Sequence, residues 1–183
     1  MFSKDKIREQ MQAQRRQMSS EMVKKASVSC ISQLFTLNEY QEAKTILVYA
    51  STRNEVDTRP IVEDALAHNK VVGMPVSYQE GAMEFYSVFD WSDLKPGRFG
   101  ILEPPADILV EAEDALILVP AVAYDRRKNR IGHGGGYYDR YMQRHPDLYK
   151  IGLAYEYQIV DAFEPEEYDE PVDLIVTDTQ III

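Results

Sequence analysis

Between Arg130 and Tyr141 the chain packs four glycines, two arginines, three tyrosines, a histidine and an aspartate into twelve residues. Glycines allow positive φ and bring backbone N–H groups close to an anion, and a helix starting at the tyrosines would add its positive dipole end. The chemistry this suggests is the binding of a phosphate and a metal. The competing reading is a tight turn before an ordinary helix. Neither standard nucleotide fingerprint fits: G-x-x-x-x-G-K-[ST] is missing, and Tyr137 stands where G-x-G-x-x-G needs its last glycine.

Charge points the same way. The formal net charge is −10, yet residues 1–25 hold seven Lys/Arg against three Asp/Glu, and residues 126–150 hold seven against two. The other 133 residues carry six basic side chains against 25 acidic ones. An acidic bulk repels nucleic acid, so no nucleic-acid partner is expected. Two basic segments far apart in sequence would suit a small polyanion held between them, or would be two solvated faces.

The elements that must bring these segments together are legible from periodicity. Ile7, Met11, Gln14 and Met18 recur at helical spacing, with Lys4 and Arg8 four apart on an adjoining face. A second helix, capped by Ser19 or Ser20, carries a stripe of Met22, Val23, Ala26, Cys30, Ile31, Leu34 and Phe35. Cys30 in that stripe is a core filler. Short apolar runs then read as buried strands: Thr45–Ala50, Val71–Pro75, Leu116–Val119, Ile151–Ala154 and Leu174–Thr177, with Met83–Val88 at an edge. Asp57 or Thr58 with Pro60 starts a helix between the first two, a parallel βαβ unit. Residues 90–105, rich in proline and glycine, predict an irregular loop bordering a cleft. The glycine loop follows the Leu116–Val119 run, where a ligand of an open α/β sheet lies.

These elements predict one α/β domain over residues 1–183: an open, mostly parallel sheet flanked by helices over about 44–183, and an N-terminal helical pair over about 3–37. The single cysteine excludes an intrachain disulfide. No apolar run approaches the roughly 20 residues of a bilayer span, and charges in Met-Phe-Ser-Lys-Asp-Lys occupy the place of a signal peptide's apolar segment. A cytoplasmic protein without a membrane partner is expected; oligomeric state stays open.

In order and spacing, several segments together resemble the 5-formyltetrahydrofolate cyclo-ligase (methenyltetrahydrofolate synthetase) family. They are the Lys4-x-x-x-Arg8 start, Glu55-Val-Asp-Thr, Phe99-Gly-Ile-Leu-Glu-Pro104, Val119-Pro-Ala-Val-Ala-Tyr-Asp125, the Arg130 to Arg140 loop and Pro171-Val-Asp173. The resemblance implies an enzyme that uses ATP and magnesium to convert 5-formyltetrahydrofolate into 5,10-methenyltetrahydrofolate, ADP and phosphate. Carried over by position, Lys4, Arg8 and Arg130, with Ile131, Gly132, His133, Gly134, Gly135, Gly136, Tyr137 and Tyr138, would bind ATP. Ala50 and Glu55 would contact the reduced folate, and Asp139 and Asp173 would hold Mg2+. Arg130, Tyr138 and Asp139 would serve catalysis. Tyr155 and Tyr157 join Tyr137 and Tyr138 as candidate ring platforms. Some relatives carry a basic residue near Gly135, where this chain has none. The alternatives are another ATP-dependent or sugar-phosphate enzyme on a similar sheet, or a non-catalytic nucleotide-binding module.

Overall fold

A computed structural model describes residues 3–52 and 54–183; Met1 and Phe2, which open the charged N-terminal segment, and Arg53 lie outside the described residues. The chain forms helices α1 (Lys4–Gln17), α2 (Ser20–Phe35) and α3 (Asn38–Glu42), strand β1 (Thr45–Leu47), helix α4 (Arg59–Ala67), and strands β2 (Val71–Ser77) and β3 (Met83–Ser87). A small ribbon, β4 (Lys95–Pro96) with β5 (Leu102–Glu103), precedes β6 (Leu116–Val119), β7 (Ala123–Asp125) and β8 (Arg130–Ile131). Helix α5 (Tyr137–Arg144) leads to β9 (Tyr149–Leu153), β10 (Ile159–Val160), β11 (Leu174–Val176) and β12 (Ile181–Ile182).

The main sheet has the order β12-β11-β9-β6-β1-β2-β3. Its five central strands pair in parallel, while β12 and β3 close the edges antiparallel. Parallel strands must be buried on both faces, which is why their runs are continuously apolar. Alternation sorts them: Leu116 and Leu118 pack with Cys30, Ile31 and Leu34 of α2 and Ile61, Val62 and Ala65 of α4. Ile117 and Val119 face the other way, with Tyr141 and Met142 of α5. Ser19 caps α2, its hydroxyl accepting from the Met22 amide. Thr58 precedes α4 but gives it no side-chain cap, because its hydroxyl donates to the Tyr49 carbonyl at 2.7 Å and accepts from the Ser51 amide at 3.2 Å.

Two features depart from the periodicity reading. The chain beyond Val119 does not run straight into the glycine loop. It turns at Pro120 and builds a second, three-stranded sheet, β10-β7-β8. Fully buried Asp125 closes the β7–β8 hairpin by accepting from the Arg127 and Asn129 amides, both at 2.9 Å. The two N-terminal helices also part company. While α2 covers the main sheet, α1 lays Ile7 and Met11 on Val122, Ala123, Ile131 and Phe163, on the second sheet. That placement sets α1 beside the glycine loop. Among the described residues, no helix is long and apolar enough to cross a membrane.

Candidate active site

A cavity of about 830 Å³ opens at the carboxyl ends of the parallel strands, the size class of small-molecule sites. Ala50, Thr52 and Glu55 line it from the segment after β1, Ser77 from the end of β2, and Pro120 from the turn after β6. The glycine loop forms one wall, and Phe99, Ile101 and Glu103, from the irregular segment expected to border a cleft, form part of another.

The loop is rigidly framed. Gly134 has φ 99°, with open space where a Cβ would stand, and Gly136 has φ 66°, a backbone state costly for a residue with a side chain. Gly136 precedes α5 without a side-chain cap, and the first amides of a helix have no intrahelical partner. The Gly135 carbonyl accepts from Arg140, whose Nε also donates to the Gly81 carbonyl at 3.1 Å. The Gly132 carbonyl accepts from Arg8 Nε at 2.9 Å. This last bond joins the two basic segments, since Arg8 belongs to one and the loop to the other. Beside it the Lys4 ammonium pairs with Asp169 and lies 3.4 Å from a Glu166 oxygen.

Arg130 lines the cavity beside Gly132, with a side chain only 4% exposed. It donates to Asp139 Oδ1 at 2.6 Å and to the Pro120 carbonyl at 3.4 Å, while its buried Nε has no hydrogen-bond partner among the described residues. A Cβ on Gly132 would stand 2.9 Å from Arg130 Nη1, so the guanidinium fills the space a side chain would need. The guanidinium also lies 5.9 Å from the centre of the Tyr138 ring. Burial first, then the negative field of Glu55, pushes the Tyr138 phenol far above its usual range, so it remains protonated.

Asp139 Oδ1 is doubly engaged, by Arg130 and by the Glu170 amide at 3.1 Å. Magnesium is satisfied by one or two carboxylates together with phosphate oxygens and water, so a single orientated Asp139 fits such an ion. Among the described residues, no group of three His, Cys, Asp or Glu side chains could hold a metal by itself. Asp173 departs from its expected place. It precedes β11, and its carboxylate accepts from the Lys150 amide at 2.7 Å in β9. Both are at the amino ends of parallel strands, whereas the cavity opens at the carboxyl ends, and Asp173 is not among the cavity-lining residues.

Glu55 is the buried acid of the site, its side chain 9% exposed. Oε2 accepts from the Thr52 amide at 2.8 Å and its hydroxyl at 3.3 Å; Oε1 lies 3.4 Å from Arg15 Nη1 and 3.9 Å from His133 Nε2. Burial raises its pKa, and Arg15 and Thr52 oppose that rise. His133 is pushed down to about 4, by removal from water and then by Arg15, Arg130 and Arg8. Its ring is 52% exposed, so solvent screens part of that push. Tyr155 and Tyr157 lie outside the cavity lining; the Tyr155 hydroxyl instead donates to the Glu55 carbonyl at 2.8 Å.

The model of the 5-formyltetrahydrofolate cyclo-ligase family matches residues 1–178. The chain belongs to the 5-formyltetrahydrofolate cyclo-ligase family. It is 31% identical to the 5-formyltetrahydrofolate cyclo-ligase of Haemophilus influenzae, covering 82% of this chain and 85% of that one. Against the Escherichia coli cyclo-ligase the identity is 29%, over 91% and 96%. The solution structure of the Aquifex aeolicus 5,10-methenyltetrahydrofolate synthetase superposes with a TM-score of 0.86 at 32% identity, over 97% and 91%. Membership makes the chain a cyclo-ligase enzyme on the α/β fold of these relatives.

Reading the sequence missed Arg15, Arg140 and Asp169. Arg15 lies seven residues beyond Arg8, two helical turns along the same face, a spacing that could have found it. Arg140 ends the recognised loop, where spacing alone does not say that it holds Gly135. Asp169 meets Lys4 across 165 positions of chain, and no local signal marks it.

Proposed function

We propose that the chain carries out the ATP- and magnesium-dependent conversion of 5-formyltetrahydrofolate into 5,10-methenyltetrahydrofolate, ADP and phosphate. The observation that carries this reading is the Arg8 to Gly132 bond, which sets the cations of α1 and the glycine loop together at a cavity that Glu55 also lines.

The formyl group on the pteridine nitrogen is an amide, with a poorly electrophilic carbon and an oxygen that leaves badly. Transfer of the γ-phosphoryl group to that oxygen forms an O–P bond and breaks the bond to ADP. The neighbouring amine of the same folate then adds to the carbon, losing its proton to solvent, and the carbon–oxygen bond breaks to release phosphate. Ring closure is intramolecular, so alignment supplies much of the acceleration. Phosphoryl transfer needs positioning and charge neutralisation rather than a protein nucleophile.

In this reading Arg8, Lys4 and the loop amides bind the triphosphate, which displaces Asp169 from Lys4. Arg130 holds Asp139 towards the magnesium ion, which would neutralise phosphate charge when bound. The neutral Tyr138 borders the reacting groups as a hydrogen-bond donor. Ala50 leaves room for the pterin, and Glu55 accepts from its amino-pyrimidine edge. The test mixes purified protein with 5-formyltetrahydrofolate, ATP and magnesium and follows the near-ultraviolet absorbance of the methenyl product. Product should form with ATP and not without it; no product with all three present would overturn the assignment.

A further inference from the structure

Arg15 takes no part in the phosphate site, yet it is held as firmly as the residues that do. Its side chain is 12% exposed. Nη1 lies 3.4 Å from Glu55 Oε1, and Nη2 donates to the Ala121 carbonyl at 3.1 Å, in the turn that follows β6. The backbone around it is clasped as well: Asn54 Nδ2 donates to the carbonyls of Arg15 and Met18, at 3.0 and 3.1 Å. The end of α1 is thereby bound on one side to the loop carrying Glu55 and on the other to the strand connection leading to the anion loop.

Glu55 divides its two oxygens. Oε2 is committed to Thr52, whereas the contacts of Oε1 at 3.4 and 3.9 Å are longer than a direct charge-assisted bond of about 2.8 Å. Oε1 therefore keeps acceptor capacity for a ligand while its position is set. We infer that Arg15 is a positioning residue for folate binding, holding the Glu55 carboxylate at the cavity edge. This rests on the reading of Glu55 as a folate contact. Burying an ion pair gains little net stability, so the arrangement serves orientation more than folding.

The groups facing Glu55 are Arg15 from α1, His133 from the anion loop, Tyr49 after β1, Tyr138 of α5 and Tyr157 before β10. Arg15 is the largest influence opposing the protonation that burial favours, so removing its charge lets Glu55 keep its proton to higher pH. A protonated Glu55 is a poorer acceptor for the pterin edge.

The test compares Arg15→Met, which keeps the alkyl stem, with Arg15→Lys, which keeps the charge. Glu55 is titrated by carbon NMR on 13C-glutamate-labelled protein, its signal assigned by loss in Glu55→Gln, and KM is measured for each substrate. In Arg15→Met the Glu55 signal should titrate at higher pH and KM for 5-formyltetrahydrofolate should rise at least about tenfold, while KM for ATP changes less than about twofold. Arg15→Lys should restore most of the titration. An unmoved Glu55 titration, or KM values for both substrates rising together, would overturn the inference. If Arg15→Met does not fold, the same two measurements on Arg15→Lys decide, an unaltered titration with a smaller rise in folate KM being the supporting result and a rise in both KM values the opposing one. Failure of the unsubstituted protein to turn over the folate would instead sink the proposed function, and the titration, which needs no substrate, would still judge the Arg15–Glu55 link.

Discussion

Replacing Arg8 by alanine separates the phosphate site from the fold that supports it. In the structure Arg8 makes one bond to the Gly132 carbonyl at 2.9 Å and an ion pair with Asp5 at 2.6 Å. Asp5 is 89% exposed, so the i,i+3 pair contributes roughly 0.2–0.5 kcal/mol, and the neutral-acceptor bond about 1 kcal/mol. Together these predict a Tm lowered by about 3–6 °C for a chain of this size. Against the triphosphate the same guanidinium would make a charge-assisted bond of about 1.5–3 kcal/mol, so KM for ATP should rise about 10- to 150-fold. Initial rates of methenyl absorbance, measured across ATP concentrations at saturating folate, give KM; a thermal melt gives Tm. A KM for ATP within twofold of the unsubstituted value would refute the convergence of α1 and the loop on one anion. So would a melt collapsing by tens of degrees, because Arg8 would then be a structural strut.

Asp139→Asn keeps an oxygen for Arg130 and for the Glu170 amide but removes the negative charge, so kcat should fall about 100-fold or more while KM for ATP changes only a few-fold; unchanged kcat at any magnesium concentration would remove Asp139 from the metal role. His133 bears on acid stability: its folded pKa, about 4, lies below the usual value of 6.5, so the unfolded chain takes up its proton first. The contribution is full above about pH 6.5 and is lost as pH falls towards 4. Melts of the unsubstituted protein and of His133→Gln should therefore match at pH 7.5 and diverge below about 6.5, the variant losing less. Parallel curves down to pH 4 would show that solvent screens the ring completely.

Much of the sheet was legible because burial on both faces forces continuous apolar runs. The runs at 71, 116, 151 and 174 are strands in the structure, and Met83–Ser87 is an edge strand. The first strand proved shorter than its run, ending at Leu47; the Val48 amide still donates to the Gly73 carbonyl, and Ala50, Thr52 and Glu55 beyond it line the cavity. The second sheet was not legible: β7 and β8 have three and two residues, too few to show a period. Spacing placed Lys4 and Arg8 on one helix face, and composition singled out the glycine loop. It could not show that Arg130 is almost fully buried beside Gly132, holding Asp139, because burial of a guanidinium depends on what packs around it.

By itself the sequence determined the alternation of helices and buried strands, the two cationic segments, and a glycine loop able to adopt backbone states denied to other residues. These are local properties, written in spacing and side-chain type. Only the tertiary structure decided which of the charged groups share a cavity. It brought Arg8 to Gly132 across 124 residues and Arg15 to Glu55 across 40, and it set Asp173 at the opposite ends of the strands. The physical reason is that ion pairs and hydrogen bonds are selected by proximity in space, and proximity follows from how α1 packs on the second sheet, which no short stretch of chain encodes.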